Sequence, residues 1–195
     1  MLTYANQLTI LRMIFVPCFV LLLIYGHPAA ATLVFVLAGI TDALDGLLAR
    51  KLQQKTVLGS FLDPMADKLL LTAAFVTLTI PSIPVALHIP VWLTVISISR
   101  DLVIALSVLI IHLQTNHSHF PPSLLGKGTT ASQLVTVAVA MVANFVPKLG
   151  VVLFLPLVYL TLLFTVASGL HYLYRSVGLI ESYQRVEAKD AKKRD

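Results

Sequence analysis

The sequence is poor in charged residues, and acidic residues are the scarcest. Charged residues make up 12% of the 195 and hydrophobic residues 57%, whereas a soluble domain carries about 25% charged residues. The first 180 residues contain only five acids. A soluble helical bundle needs polar outer faces, which most of this chain lacks. The composition therefore argues against a soluble domain and favours an integral membrane protein.

Cysteine and linkers are also nearly absent. The single cysteine, Cys18, excludes a disulfide within the chain. No internal repeat, low-complexity segment or interdomain linker is visible, which favours one domain. We predict a membrane domain over residues 1–180 and a charged cytoplasmic tail over 181–195. The tail mixes both signs and ends in basic residues, which beside membrane spans suggests anionic lipid as its neighbour and not nucleic acid.

Apolar stretches close to the length of about 20 residues that a bilayer-spanning helix needs recur along the chain. They predict an all-α protein of six transmembrane helices, at about 7–25, 31–50, 66–81, 90–113, 128–146 and 150–174. Lys and Arg cluster at the ends that would be cytoplasmic if the N-terminus is inside, and the three outer loops then hold only Lys148. Both termini are therefore predicted to be cytoplasmic.

An N-terminal signal peptide is the alternative for the first apolar stretch. Residues 12–31 contain Arg12, an apolar run and small residues, which is the pattern of a cleaved leader. The apolar pattern continues directly into the second predicted span, so the six-span interpretation is favoured.

Four of the five acids lie within 26 residues, in "TDALDGLLARKLQQKTVLGSFLDPMADK". Asp42 and Asp45 are three residues apart and Asp63 and Asp67 four apart, so each pair shares a helix face. If the second and third spans are neighbours joined by a short loop that turns at Gly59, the two pairs converge. Acids at a membrane helix need a partner or a wet cavity. Oxygen-only ligands suit Mg²⁺, Mn²⁺ or Ca²⁺ and not zinc, and two divalent ions support displacement at phosphorus.

Simpler structural roles exist for these acids. Asp63 followed by Pro64 is also the pattern of a helix N-cap. Asp42 and Asp45 could be interfacial residues paired with Arg50 or Lys51. These roles do not explain why Gly46, Ala49 and Arg50 occur together with the four aspartates, as a bulky phosphate ligand would require.

The full pattern resembles a known family. It reads Asp42-x2-Asp45-Gly46-x2-Ala49-Arg50-x8-Gly59-x3-Asp63-x3-Asp67, which looks like the complete signature of the CDP-alcohol phosphatidyltransferases. The opening "NQLTILR" and the later "ISRD" and "LLGKGTTASQ" resemble segments of its phosphatidylglycerophosphate synthase branch. The resemblance implies six transmembrane helices, a cytoplasm-facing active site and residence in a bacterial inner membrane. It also implies a homodimer as a common assembly.

The resemblance also implies roles for the signature residues. Asp42 and Asp63 would bridge two Mg²⁺ or Mn²⁺ ions, Asp45 would bind one of them, and Asp67 would bind the other and act as general base. A second set would bind CDP-diacylglycerol: Gly46, Ala49, Arg50 and Gly59. An alcohol would attack the phosphate that carries diacylglycerol, and CMP would leave.

The acceptor alcohol is not specified by the signature. Arg100 in the fourth span and Lys127 at the start of the fifth would suit an anionic acceptor, which favours glycerol 3-phosphate. Phosphatidylglycerol, the acceptor of a cardiolipin synthase, is the alternative, and Gly128-Thr129-Thr130 departs from the commoner form of that segment. Structural alternatives are that Arg100 pairs with Asp101 or a helix dipole and that Lys127 snorkels to the surface, as Arg12 could also do.

An ion-coupled transporter is the alternative from a different functional class. Such a protein would place its acids near the bilayer midplane and would usually contain an internal repeat. Four of the five acids here lie towards one predicted face, and no repeat is visible. The enzyme interpretation is therefore favoured.

Overall fold

The computed structural model describes residues 4–51, 57–115 and 124–191. Within these ranges the chain forms six α-helices and no β-strand. They are α1 (Tyr4–Ile24), α2 (Pro28–Lys51), α3 (Val57–Thr79), α4 (Val91–Thr115), α5 (Leu124–Val142) and α6 (Pro147–Ala191). The prediction of an all-helical protein with six helices is confirmed.

The helix boundaries follow local sequence signals. Gly26 adopts a φ of 76°, and the amides of Gly26 and His27 donate to the carbonyls of Leu23 and Leu22. This is the Schellman arrangement that closes a helix on glycine. Pro28 and Pro147 open α2 and α6, positions where proline costs no intrahelical hydrogen bond.

Two helices differ from their predicted extents because apolar windows miss polar helical turns. Helix α3 begins at Val57, nine residues before the predicted span. Gly59 therefore lies in the first turn of α3 and not in a loop, and Asp63 lies inside the helix and not at its N-cap. Helix α6 continues to Ala191 through most of the predicted charged tail.

The helices pack as two groups of three. In the first half, α1 packs against both α2 and α3, while α6 packs against both α4 and α5 in the second half. Between the halves, α3 packs to a similar extent against α4 and α5, and α2 also contacts α5. A core cluster joins both groups at one end, where it includes Phe19, Phe35, Leu78, Leu93 and Met141.

Two helices in the described part of the chain are long and apolar enough to cross a bilayer. They are Val91–Val108 in α4 and Pro147–Arg175 in α6, and less than a third of each segment is buried inside the protein. Shorter apolar stretches lie in α1, α2 and α3: Thr9–Ile24, Pro28–Asp42 and Lys68–Thr79. Large apolar side chains remain exposed on every helix with described side chains, which fits a lipid-facing surface.

Candidate active site

A cavity of about 560 Å³ lies between the two halves. Its volume is within the range of about 300–1,000 Å³ typical of ligand pockets. The first half contributes Arg12, Gly39, Asp42 and Lys68 to its wall, among others. The second half contributes Arg100, Lys127, Thr130 and Tyr172, among others. Helices α2 and α3 both line the cavity, and each of them packs against α1. The convergence of the two aspartate pairs stays a prediction.

The charged side chains in the described wall of this cavity are mainly basic, and they lie among apolar and small residues. Four basic side chains line it, from both halves, whereas Asp42 is the acidic side chain among the described lining residues. Arg12, Lys68, Arg100 and Lys127 are the four. Such a wall raises the local concentration of anionic ligands, and guanidinium groups are well shaped for phosphate oxygens.

Asp42 is held by Arg12 of α1. Nη1 of Arg12 lies 2.9 Å from Oδ1 of Asp42. The Arg12 side chain is 1% exposed and that of Asp42 is 50% exposed. The ion pair thus fixes a carboxylate that still faces the cavity. The alternative that Arg12 snorkels to the membrane surface is wrong, because its guanidinium is buried, and Asp42 pairs across helices with Arg12.

Asp101 of α4 joins two of the cavity cations. Its Oδ1 lies 2.7 Å from Nη1 of Arg100 and 2.7 Å from Nζ of Lys68. Arg100 precedes it in the same helix, whereas Lys68 belongs to α3. This carboxylate also lines a smaller cavity of about 30 Å³ beside the first, a space for about two water molecules.

Arg100 is fixed by further contacts in the second half. Its Nη2 donates a hydrogen bond to Oγ of Ser168 in α6. The guanidinium carbon lies 5.9 Å from the centre of the Tyr172 ring, within the range of a cation–π contact. The predicted pairing of Arg100 with Asp101 is observed, and Arg100 lines the cavity as well. Its buried Nε has no hydrogen-bond partner in the described part of the chain.

Lys127 lies in the first turn of α5, is exposed, and lines the large cavity. A lysine that binds the acceptor would have to line this cavity, as Lys127 does. Gly126, next to it, and Thr130, one turn later, also line the cavity. The role of Lys127 in acceptor binding stays a prediction.

The other signature residues belong to α2 and α3, but their side chains lie outside the described residues. Asp45, Gly46, Ala49 and Arg50 follow Asp42 in α2, and Gly59, Asp63 and Asp67 lie in α3. The cavity-lining Leu70 and Leu71 come three and four residues after Asp67. Because residues three and four apart share a helix face, positions 67 and 70–71 belong to the same side of α3.

Sequence reasoning assigned no function to Lys68, Asp101, Ser168 or Tyr172. Lys68 directly follows an aspartate of the signature, and Asp101 is the fifth acid of the first 180 residues. The rarity of acids in membrane helices could have singled out Asp101. Nothing in the sequence marks Ser168 or Tyr172, because their contacts depend on how α6 is rotated against α4.

The sequence was compared with protein-family models and with characterised proteins. Residues 2–167 match the model of the CDP-alcohol phosphatidyltransferases. The chain belongs to the CDP-alcohol phosphatidyltransferase family. It is therefore a transferase of phospholipid biosynthesis with membrane character, and the transporter alternative is set aside.

Several relatives of this phosphatidyltransferase are similar over most of its length. A CDP-diacylglycerol–glycerol-3-phosphate 3-phosphatidyltransferase of Haemophilus influenzae is 35% identical over 184 residues, covering 91% of this chain and 95% of the relative. A probable phosphatidylglycerophosphate synthase of Mycobacterium tuberculosis is 36% identical over 185 residues, covering 89% and 81%. A human CMP-forming cardiolipin synthase is 34% identical over 157 residues, covering 72% and 50%.

CDP-alcohol phosphatidyltransferases are generally dependent on divalent metal ions. Among the described residues no cluster of three or more potential ligands occurs, and Asp42 is the one signature aspartate with a described side chain. Its carboxylate is half exposed to the cavity, and the other three signature aspartates belong to α2 and α3, which both line the cavity. The carboxylate of Asp42 is a hard oxygen donor of the kind that Mg²⁺ and Mn²⁺ prefer.

Proposed function

We propose that this phosphatidyltransferase transfers the phosphatidyl group of CDP-diacylglycerol to glycerol 3-phosphate, giving phosphatidylglycerophosphate and CMP. One observation carries the proposal. The cavity between the two halves has an aspartate of the family signature on one wall and basic side chains from the other half opposite it. An anionic donor and an anionic acceptor could therefore both be held there.

The donor is assigned to the first half. Asp42, Asp45, Asp63 and Asp67 would hold two Mg²⁺ or Mn²⁺ ions, which when bound would neutralise the diphosphate of the donor. The CDP group would lie against Gly46, Ala49, Arg50 and Gly59. Support comes from the signature and from the Arg12–Asp42 ion pair, which already fixes one carboxylate at the cavity.

The chemistry assigned to this chain's residues is a proton transfer. Asp67 would accept the proton of the acceptor hydroxyl as its oxygen forms a bond to the phosphorus that carries diacylglycerol. The bond from that phosphorus to the CMP oxygen breaks, and CMP leaves with the electron pair. Holding both substrates in one cavity supplies the proximity that such a displacement requires.

The acceptor is assigned to the second half. Arg100 and Lys127 line the cavity there, and their charges suit the phosphate of glycerol 3-phosphate better than a neutral alcohol. Relatives named for this acceptor span most of the chain's length. Phosphatidylglycerol also carries a phosphate, and similarity to cardiolipin synthase keeps it as the second candidate.

The same proposal includes the arrangement in the membrane. All six helices would cross the bilayer, both termini and the active site would face the cytoplasm, and the membrane would be the bacterial inner membrane. The shorter apolar stretches of α1, α2 and α3 end near the cavity, which would place the charged residues among the lipid head groups. A homodimer within the lipid bilayer is the proposed assembly.

A CMP-release assay tests the proposal. Purified protein in detergent receives CDP-diacylglycerol and Mg²⁺ with glycerol 3-phosphate, phosphatidylglycerol, serine or inositol, and the lipid product is identified by mass spectrometry. We expect CMP and phosphatidylglycerophosphate with glycerol 3-phosphate, and neither after chelation of the metal. Product with phosphatidylglycerol alone would make the chain a cardiolipin synthase. No CMP with any acceptor from folded protein would contradict the proposed reaction.

A further inference from the structure

Asp101 connects the two halves beside the cavity. It belongs to α4, and its ion pair with Lys68 reaches α3 of the first half. Helices α3 and α4 make few other contacts, and the hydrogen bond between Thr79 and Thr94 belongs to the opposite end of these helices. The Lys68–Asp101 pair therefore links α3 and α4 at the cavity.

One oxygen of Asp101 holds two cations together. Nζ of Lys68 and Nη1 of Arg100 each lie 2.7 Å from Oδ1, so the two nitrogens are no more than twice that distance apart. Like charges at such a separation repel each other. The carboxylate offsets this repulsion and keeps both nitrogens on the same side of the cavity.

Both cations retain donors for a further anion. An ammonium group has three N–H donors and a guanidinium five. Lys68 is 54% exposed and pairs with Asp101. Arg100 uses one N–H of Nη1 for Asp101 and one N–H of Nη2 for Ser168, which leaves a second N–H on each of these nitrogens. Both side chains line the large cavity.

We propose that Asp101 is a positioning residue, which holds Lys68 and Arg100 together so that both bind the phosphate group of the acceptor. This inference rests on the proposed function, because it concerns the acceptor assigned there. It adds Lys68 to the acceptor site and gives Asp101 an indirect role. Asp101 acts through the two cations and does not itself touch the substrate.

A pure counter-charge role for Asp101 predicts the opposite effect. If the carboxylate only reduced the positive charge of the cavity, then Asp101→Asn would make the cavity more cationic and would strengthen phosphate binding. If Asp101 positions the two cations, then the same change releases Lys68 and weakens phosphate binding. The sign of the change in acceptor KM therefore separates the two roles.

The test uses the full-length protein in detergent with Mg²⁺. Rates are measured against glycerol 3-phosphate at saturating CDP-diacylglycerol, and against CDP-diacylglycerol at saturating acceptor. For Asp101→Asn we expect the KM for glycerol 3-phosphate to rise about tenfold or more, since hydrogen bonds to charged groups have effects of this size. The KM for CDP-diacylglycerol and kcat should change little. Asp101→Glu should restore part of the acceptor affinity.

Lys68→Met is the second variant, for the case that Asp101→Asn does not fold. Lys68 is largely exposed, so its removal should be tolerated, and the acceptor KM should rise to a similar extent. Lys148→Met is the matched control, because Lys148 is exposed in the first turn of α6 and does not line the cavity. An unchanged or lower acceptor KM in Asp101→Asn or Lys68→Met would overturn the inference.

A binding measurement separates this inference from the proposed reaction. Glycerol 3-phosphate and inorganic phosphate should each raise the melting temperature of the wild-type protein without CDP-diacylglycerol, because a ligand that binds only the folded state stabilises it. The shift should be smaller in Asp101→Asn and in Lys68→Met. If the wild type turns over no glycerol 3-phosphate yet shows these shifts, the reaction is wrong and the phosphate site stands. Equal shifts in wild type and variants would contradict the role of Asp101.

Discussion

The two halves of this phosphatidyltransferase use polar residues differently. In α1–α3 the described buried polar side chains are few, namely Thr9, Arg12 and Thr77, and the signature acids lie towards one end. In α4–α6 buried hydroxyls line the helix interfaces, and Thr129, Thr136, Thr161 and Ser168 are among them. The first half concentrates charge at the cavity, whereas the second distributes neutral polar groups along its helices.

Several buried hydroxyls of the second half are bonded to other protein groups, whereas that of Ser97 in α4 has no partner among the described residues. Thr136 donates to the carbonyl of Ser132 and lies 2.8 Å from the hydroxyl of Thr161, measured between the two Oγ1 atoms. Thr129 is within hydrogen-bonding distance of the carbonyl of Phe164 in α6. Such bonds between helices suit a protein in lipid. They also fix the rotation of α6, which places Ser168 against Arg100.

The difference suggests a division of roles between the two halves, one for the reaction and one for stability. Because the first half carries the signature, changes there should mainly affect the reaction. Because the second half has buried hydroxyls bonded between its helices, changes there should mainly affect stability, except at the cavity wall.

Asp67→Asn should cause the largest loss. An amide cannot accept the proton of the acceptor hydroxyl, and general bases contribute about 10²–10⁴-fold to rates. We expect kcat to fall by about that factor while the melting temperature stays within a few degrees of the wild-type value. CMP release and thermal unfolding in the same detergent measure the two quantities. Wild-type activity in Asp67→Asn would contradict the assignment of the proton transfer to this residue of the first half.

Arg12→Met should reduce activity by about ten- to a hundredfold. The change removes the charge-assisted hydrogen bond that fixes Asp42, and such bonds contribute about 1.5–3 kcal/mol. Asp42 is half exposed and can then be hydrated, so it should lose its orientation without causing unfolding. The Mg²⁺ concentration for half-maximal CMP release should rise. An unchanged Mg²⁺ requirement would mean that Arg12 has only a packing role.

Two glycines offer a matched pair across the halves. An added Cβ at Gly150 would lie 2.4 Å from Cβ and 2.8 Å from Cα of Ala143, whereas at Gly39 it would meet no atom within 4 Å. Gly150→Ala should therefore destabilise the protein by about 1–3 kcal/mol. Gly39→Ala should stabilise it by up to about 1 kcal/mol, because alanine is the better helix former. Thermal unfolding of both variants tests the opposite signs, and equal shifts would contradict the contact at Gly150.

Thr136→Val and Thr161→Val should have the smallest effects. Each change removes one partner of a buried hydrogen bond, at a cost of about 1 kcal/mol. A double-mutant cycle should give a coupling energy of about 0.6 kcal/mol, as is typical between membrane helices. The acceptor KM should not change, because neither threonine lines the cavity. A large rise in this KM would break the proposed division between the halves.

The sequence was sufficient to predict the helices and the family, because both depend on local patterns. Apolar runs located all six helices, and fixed spacing identified the signature on α2 and α3. Contacts between distant residues were not predictable, as Arg12 with Asp42 and Lys68 with Asp101 illustrate. Helical periodicity tells which residues share a face but not how each helix is rotated against its neighbours. The early start of α3 was missed because its first turns are polar.

The length of α6 has a geometric consequence. At about 1.5 Å per residue, 45 helical residues extend roughly 68 Å, more than twice the thickness of about 30 Å of a bilayer's hydrocarbon core. The apolar part, Pro147–Arg175, accounts for 29 of these residues. The remaining residues to Ala191 lengthen the helix by roughly 24 Å. A fluorophore attached near Ala191 would therefore report how far the end of α6 lies from the lipid surface.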